Sequence, residues 1–183
     1  TAKIKRIKKF GTTSANFDGS SYLAVKDQGD FYFDTEDFTI DLQVRLSSLA
    51  ATQTLVSHNT DTNDFWEFRY HAVEGLQFRA VENGSETTNV AHAAISGYTA
   101  NTFFHAAVVR SGTDLKLYRD GTQVGTGVTL AKTVDIPDFT SNVEIGRNPS
   151  NANVLIGQLD EIRISRSAQY TANFTAPTHP HST

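Results

Sequence analysis

The chain has 183 residues, 38% of them hydrophobic and 10% aromatic, enough to bury one core of the size at which all-β sandwiches fold as a single domain. No stretch approaches the roughly 20 consecutive apolar residues of a membrane-spanning helix, and the absence of cysteine excludes disulfides, thiolate metal sites and a thiol nucleophile. The formal charge of −4 is unevenly placed: Lys3, Lys5, Arg6, Lys8 and Lys9 give +5 with no acid in residues 1–10, leaving −9 on the rest.

Residues 1–10 read as a basic arm that can dock on nucleic acid, on an acidic neighbour or on the acidic body itself. In the plainer reading, Ile4 and Ile7 anchor an edge segment that the lysines solvate. Thr1 is small enough to follow a trimmed initiator methionine, and a proteolytic cut before it fits equally. If the chain starts natively there, Phe10-Gly11-Thr12 in place of an apolar run means no signal peptide and synthesis without export.

The clearest periodic signal runs over 38–46, where Phe38, Ile40, Leu42, Val44 and Leu46 share one face and Thr39, Asp41, Gln43 and Arg45 the other. That alternation predicts a half-buried antiparallel strand. Further strand-like runs lie at 53–57, 65–71, 76–81, 103–110, 114–119, 122–125, 142–145 and 154–165. Turn signals separate them: Glu74-Gly75, Asn83-Gly84-Ser85, Ser111-Gly112-Thr113, Asp120-Gly121 and Asn148-Pro149-Ser150. Asp120-Gly121 suits a type I′ turn, in which both central residues need positive φ. Many short strands joined by polar turns indicate an all-β, two-sheet antiparallel sandwich over 11–175. Pro177 and Pro180 mark 176–183 as an extended, loosely held tail.

Read together in this order, the segments Phe17-Asp18-Gly19-Ser20-Ser21-Tyr22-Leu23, Phe38 to Val44, Thr54-Leu55-Val56-Ser57, Phe104 to Arg110, Leu115 to Gly121, Val143-Glu144-Ile145-Gly146 and Gly157 to Ile164 resemble the laminin-G-like jelly rolls of the concanavalin A-like superfamily. The resemblance covers nearly the whole chain and implies a jelly-roll sandwich. It constrains function less, because such sandwiches serve as sugar-binding modules, adhesion domains, enzyme accessories and virus parts. The closing segment 162–177 looks like the ending common in bacteriophage virion proteins that carry this domain.

Catalysis finds little support in the residues. A retaining glycosidase needs two carboxyls about 5 Å apart. No Glu-x-Asp-x-x-Glu cluster occurs, Glu67 stands alone between Trp66 and Phe68, and alternation sends the adjacent Asp160 and Glu161 to opposite faces. Of the six histidines, none has i, i+4 zinc spacing, His179 and His181 read as solvated, and His105 reads as a satisfied core histidine.

Asp160 shares period-2 parity with Val154, Ile156, Ile162 and Ile164, which turns its carboxylate inward and demands a partner. The resemblance implies one such partner, a structural calcium held by this last strand and an early loop, with Asp18 as the second carboxylate and backbone carbonyls completing the shell. The alternatives are a bulge at Gly157 that resets parity, or a turn-capping Asp160.

For ligand recognition, Asn59, Asp61 and Asn63 join a polar loop to Trp66, with Arg69 on the adjoining strand. This is the combination of aromatic platform and polar groups that holds sugars. The competing reading puts Trp66 and Phe68 in the core and Glu67 and Arg69 outside.

Two functions follow. In the first, the chain is a non-enzymatic virion structural protein, a capsid decoration or tail-associated subunit. Its sandwich then meets neighbouring virion proteins, the arm at Lys3, Lys5, Arg6, Lys8 and Lys9 tethers it, and it sits in a homo-oligomer or larger assembly. In the second, it is a carbohydrate-binding or adhesion module for cell-surface glycans. Neither takes nucleic acid as main partner or a membrane.

Overall fold

A computed structural model describes residues 2–131 and 133–181, with only the backbone of Lys5. Among the described residues thirteen strands are formed: β1 (Lys3–Lys5), β2 (Ser14–Asp18), β3 (Leu23–Val25), β4 (Phe38–Leu46), β5 (Gln53–Asn59), β6 (Phe65–His71), β7 (Gly75–Glu82), β8 (Ser85–Ala91), β9 (Phe104–Ser111), β10 (Asp114–Arg119), β11 (Thr122–Thr129), β12 (Val143–Ile145) and β13 (Ile156–Ser165). All pairings are antiparallel. One sheet has the order β1-β2-β13-β4-β9-β10-β11 and the other β3-β12-β5-β6-β7-β8. The expected two-sheet sandwich is therefore the fold.

Alternation builds the shared interior. Phe38, Ile40, Leu42, Val44 and Leu46 from one sheet meet Trp66, Phe68, Tyr70, Phe78 and Ala80 from the other, all fully buried. Turn chemistry sets the register where it was legible. Asp120 and Gly121 both take positive φ (51° and 80°), as do Asn83 and Gly84 (50° and 73°), the signature of tight hairpins. Strand β8, Ser-Glu-Thr-Thr-Asn-Val-Ala, escapes a hydrophobicity reading because only Thr88 and Val90 turn inward at this sheet edge.

The polar face of β4 departs from expectation, since Thr39, Asp41 and Gln43 are as buried as the apolar one. The reason is the C-terminal segment: residues 166–181 lie as a strap over the outer face of the seven-stranded sheet, and residues 182–183 of the expected tail lie outside the described residues. The Thr39 hydroxyl donates to the Ser167 carbonyl (2.8 Å), and the Phe174 and His181 amides donate to the Gly121 carbonyl and Glu161 carboxylate (both 2.8 Å). Tyr170 and Phe174 stack on each other (3.6 Å, 4°) and pack on Ala107, Val109 and Tyr118.

Under this strap the Asp41 carboxylate, fully buried, accepts from Arg163 Nε and Nη2 (2.8 and 2.9 Å) and the Tyr170 hydroxyl (2.9 Å), with His105 Nε2 at 3.2 Å. His105 is thus a core histidine, though its Nδ1 has no partner. His181, expected in solvent, lies half-buried with Nε2 3.8 Å from Asp41.

The inward orientation expected for Asp160 is corrected. Leu155, Gly157 and Leu159 face the core, so Asp160 falls on the outer side with Ile156, which is 46% exposed. A bulge between Asp160 and Arg163, with Glu161 at φ 50°, then reverses parity and turns Ile162 and Ile164 inward. The alternation argument failed because the extra residue sits at Glu161, not at Gly157.

Asp160 instead holds the arm, accepting from the Lys9 and Phe10 amides (2.9 and 3.1 Å). Together with the β1–β2 pairing and the Ser14 hydroxyl on the Ile7 carbonyl, this lays the arm against the body through its backbone. Ile4 does not anchor it, being 76% exposed, and Lys3, Arg6, Lys8 and Lys9 point to solvent.

Candidate functional site

The strap covers the outer face of the seven-stranded sheet, and the outer face of the six-stranded sheet is lined by polar side chains, of which Thr54, Ser57, Glu67 and Gln77 are buried. Pairing aligns Ser57, Glu67, Arg79 and Asn89 across β5, β6, β7 and β8, flanked by the row Thr54, Arg69, Gln77 and by the row Asn59, Phe65, Val81, Glu86. Alternation accounts for the placement: Trp66, Phe68, Phe78 and Ala80 face the core, so their neighbours face out.

Glu67 organises this face. Its side chain is fully buried, and the carboxylate accepts from Arg69 Nη1 (2.6 Å), Arg79 Nε (2.7 Å) and the Thr54 hydroxyl (3.0 Å). A buried carboxylate with three donors holds both guanidinium groups in fixed orientations. Burial pushes the Arg69 pKa down, against the pull of Glu67. Arg69 Nε also donates to Gln77 Oε1 (2.7 Å), whose amide nitrogen donates to Asn89 (3.0 Å).

Beside this network lies a cleft of about 290 Å³. Its floor is Phe65, Val81 and Arg79, with the Arg79 guanidinium over the Phe65 ring at 4.9 Å. One wall is Thr62 and Asn63, and the other Asn148, Pro149 and Ser150, with Glu86 at the rim. Both walls are braced. Asp61 Oδ1 accepts from the Asn63 amide (2.7 Å), Asp64 Oδ1 from the Asn83 amide (2.8 Å), and the Gly84 amide donates to the Asn63 carbonyl (2.9 Å), clipping two hairpin turns together. Asn148 Oδ1 accepts from the Ser150 hydroxyl (3.1 Å) and the Ala152 amide (2.8 Å).

The structure distributes the sequence-derived ligand residues unevenly. Asn63 lines the cleft, Asp61 shapes its wall, and Arg69 is on the same face one row away. Asn59 ends β5, half-buried, with its carbonyl accepting from the Ser141 amide (2.9 Å). Trp66 is not an aromatic platform: it points into the core, fully buried among Phe33 (5.5 Å), Phe78 (6.0 Å) and His58 (5.9 Å). Phe65, Arg79, Val81 and Glu86 were missed. The alternation of 76–81 contained the signal for Arg79 and Val81, but only the register brings them opposite Glu67 and Phe65.

Asp18 and Asp160 do not come together. Asp18 pairs with Ile156, and Asp160 lies four residues further along β13, about 13 Å at strand spacing. Hydrogen bonds from Ser21 and Ser20 cap Asp18 Oδ1 and hold its pKa well below the usual carboxylate range. Among the described residues, no three histidine or acidic groups gather as a metal would require. Glu67 is less solitary than the sequence suggested, yet it lies beneath the arginines and does not line the cleft.

Residues 17–171 match the family model of a laminin-G-like domain of the concanavalin A-like lectin/glucanases superfamily. No curated protein matches the chain in sequence. Solved structures share the fold. Domain 4 of AbnA, a GH43 extracellular arabinanase from Geobacillus stearothermophilus in complex with arabinotriose, aligns at TM-score 0.70 and 16% identity over 92% of this chain and 76% of that one. The binding domain of Paraclostridial Mosquitocidal Protein 1 aligns at 0.72 and 18% over 92% of this chain and 43% of that one. The CBM40 of Ruminococcus gnavus IT-sialidase bound to α2,3-sialyllactose aligns at 0.63 and 15% over 82% and 94%. The first and the third are seen with sugars, and none of the three points to a bacteriophage origin.

Proposed function

The chain belongs to the concanavalin A-like lectin/glucanase superfamily, and from that premise we propose that it is a non-catalytic carbohydrate-binding module whose ligand lies in the cleft over Phe65 and Arg79. The observation that carries this reading is the fixed guanidinium of Arg79, held by buried Glu67 and laid on Phe65 between two braced polar walls. Sugars need rigid donors and acceptors around a flat floor, because binding immobilises many hydroxyls at once and a preformed site lowers that cost. The arabinanase domain with arabinotriose and the sialidase module with sialyllactose are fold relatives seen with sugars, which supports the same class of ligand here.

The virion reading has less behind it. A tether needs a free arm, whereas β1 is paired in the sheet and Lys9 and Phe10 are bound to Asp160. The test is a glycan array with the wild-type chain, Asn63→Ala and Glu86→Ala, two exposed positions outside the core. Reproducible binding weakened about tenfold, or roughly 1.4 kcal/mol, in these variants is expected. Binding that neither substitution changes overturns the assignment of the cleft.

A further inference from the structure

Resting on that reading, we infer that the cleft takes an uncharged glycan and turns away sialylated, uronate and sulfated ones. Two arginines on one sheet face would ordinarily suggest an anion site, since guanidinium groups pair well with carboxylate and sulfate. Here the charge of both is already balanced. Arg69 and Arg79 share the buried carboxylate of Glu67 at 2.6 and 2.7 Å, and Arg79 Nη1 lies 3.7 Å from Glu86. Two positive and two negative side chains leave the network formally neutral.

The surroundings add negative charge. Asp61 and Asp64 stand in the hairpin turn that forms one wall, and Glu82 ends β7 beside it. Arg147, next in sequence to Asn148 of the wall, is paired with Glu144. The five basic residues of the arm belong to β1 and the segment after it, at the edge of the other sheet. An anionic ligand would find the charge of Arg79 already balanced by Glu67 and would meet the carboxylates of Glu86 at the rim and Asp61 and Asp64 in the wall, a repulsion that no described residue beside the cleft offsets. Uncharged hydroxyls do not face that repulsion: they can donate to Glu86 and to the Asn63 and Ser150 side chains and accept from Arg79 without disturbing any pair.

The experiment is calorimetric titration of the full chain with arabinotriose, cellotriose and mannotriose against 3′-sialyllactose and trigalacturonate, at low and high salt, repeated with Asn63→Ala. The inference expects binding to at least one neutral trisaccharide, an affinity that changes less than about twofold with salt, and a loss of about tenfold in Asn63→Ala. Binding confined to the acidic sugars and strongly weakened by salt, yet lost in Asn63→Ala, overturns the uncharged class while leaving the carbohydrate site standing. Silence towards every sugar, or binding indifferent to Asn63→Ala, overturns the site and the inference together.

Discussion

The hydroxyl of Tyr170 donates to Asp41 Oδ2 at 2.9 Å, joining the strap that closes the chain to the middle of β4, 129 residues earlier. Through this contact, a buried carboxylate that would be costly alone becomes the fastening point for 166–181. Asp41→Asn removes the charge that Arg163 and His105 face. We expect a loss of about 3 kcal/mol in chemical denaturation, with new protease cleavage confined to the strap. Unchanged stability would show that stacking of Tyr170 on Phe174 suffices.

Acid acts on the same contact. Burial raises the Asp41 pKa, but hydrogen bonds from His105, Arg163 and Tyr170 outweigh it, and the net shift is downward. A depressed carboxylate stabilises the fold above its unfolded pKa, about 4, and that contribution is lost as pH falls through the folded value. Buried His58 is depressed by desolvation, against the Ser141 carbonyl and Asp27. Its contribution is present above about pH 6.5 and declines below it. Melting scans should therefore show a first decline below about pH 6.5 that is absent in His58→Asn, and a second below about pH 4 that is smaller in Asp41→Asn, where Asp18 still contributes.

Trp66 separates core from site. Trp66→Ala should cost about 3–5 kcal/mol, because the cavity left among Phe33, Phe78 and His58 cannot collapse fully. Trp66→Phe, if folded, should bind glycan within about twofold of wild type. A selective loss of binding in a stable Trp66→Phe protein would contradict the inward placement.

Gly121 serves two constraints at once. Its φ of 80° forms the β10–β11 turn, and a Cβ there would lie 2.0 Å from the Phe174 carbonyl oxygen of the strap. Gly121→Ala should destabilise by about 1–3 kcal/mol and free the strap near Phe174, visible as faster amide exchange at that residue.

Asp160→Ala removes the acceptor for Lys9 and Phe10 and should speed exchange of those two amides by at least tenfold, leaving the core melting point nearly unchanged. Added calcium should leave that melting point where it is. A calcium-dependent rise lost in Asp160→Ala would restore the metal reading.

Local chemistry determined much of this protein. The Phe38 to Leu46 alternation fixed a strand and its inner face, Asp120-Gly121 and Asn83-Gly84 fixed tight turns, and many such elements indicated a two-sheet sandwich, which the resemblance to laminin-G-like domains narrowed to a jelly roll. These are properties of a few consecutive residues, so the sequence displays them directly. The candidate site is different in kind. Glu67, Arg79 and Glu86 lie on three strands, and register alone sets them side by side; a bulge at Glu161, invisible to periodicity, decided which way Asp160 and the isoleucines after it point. The burial of Asp41, the docking of the strap and the inward turn of Trp66 depend on what covers each sheet face. A strand's alternation separates two faces but cannot say which of them another part of the chain will cover.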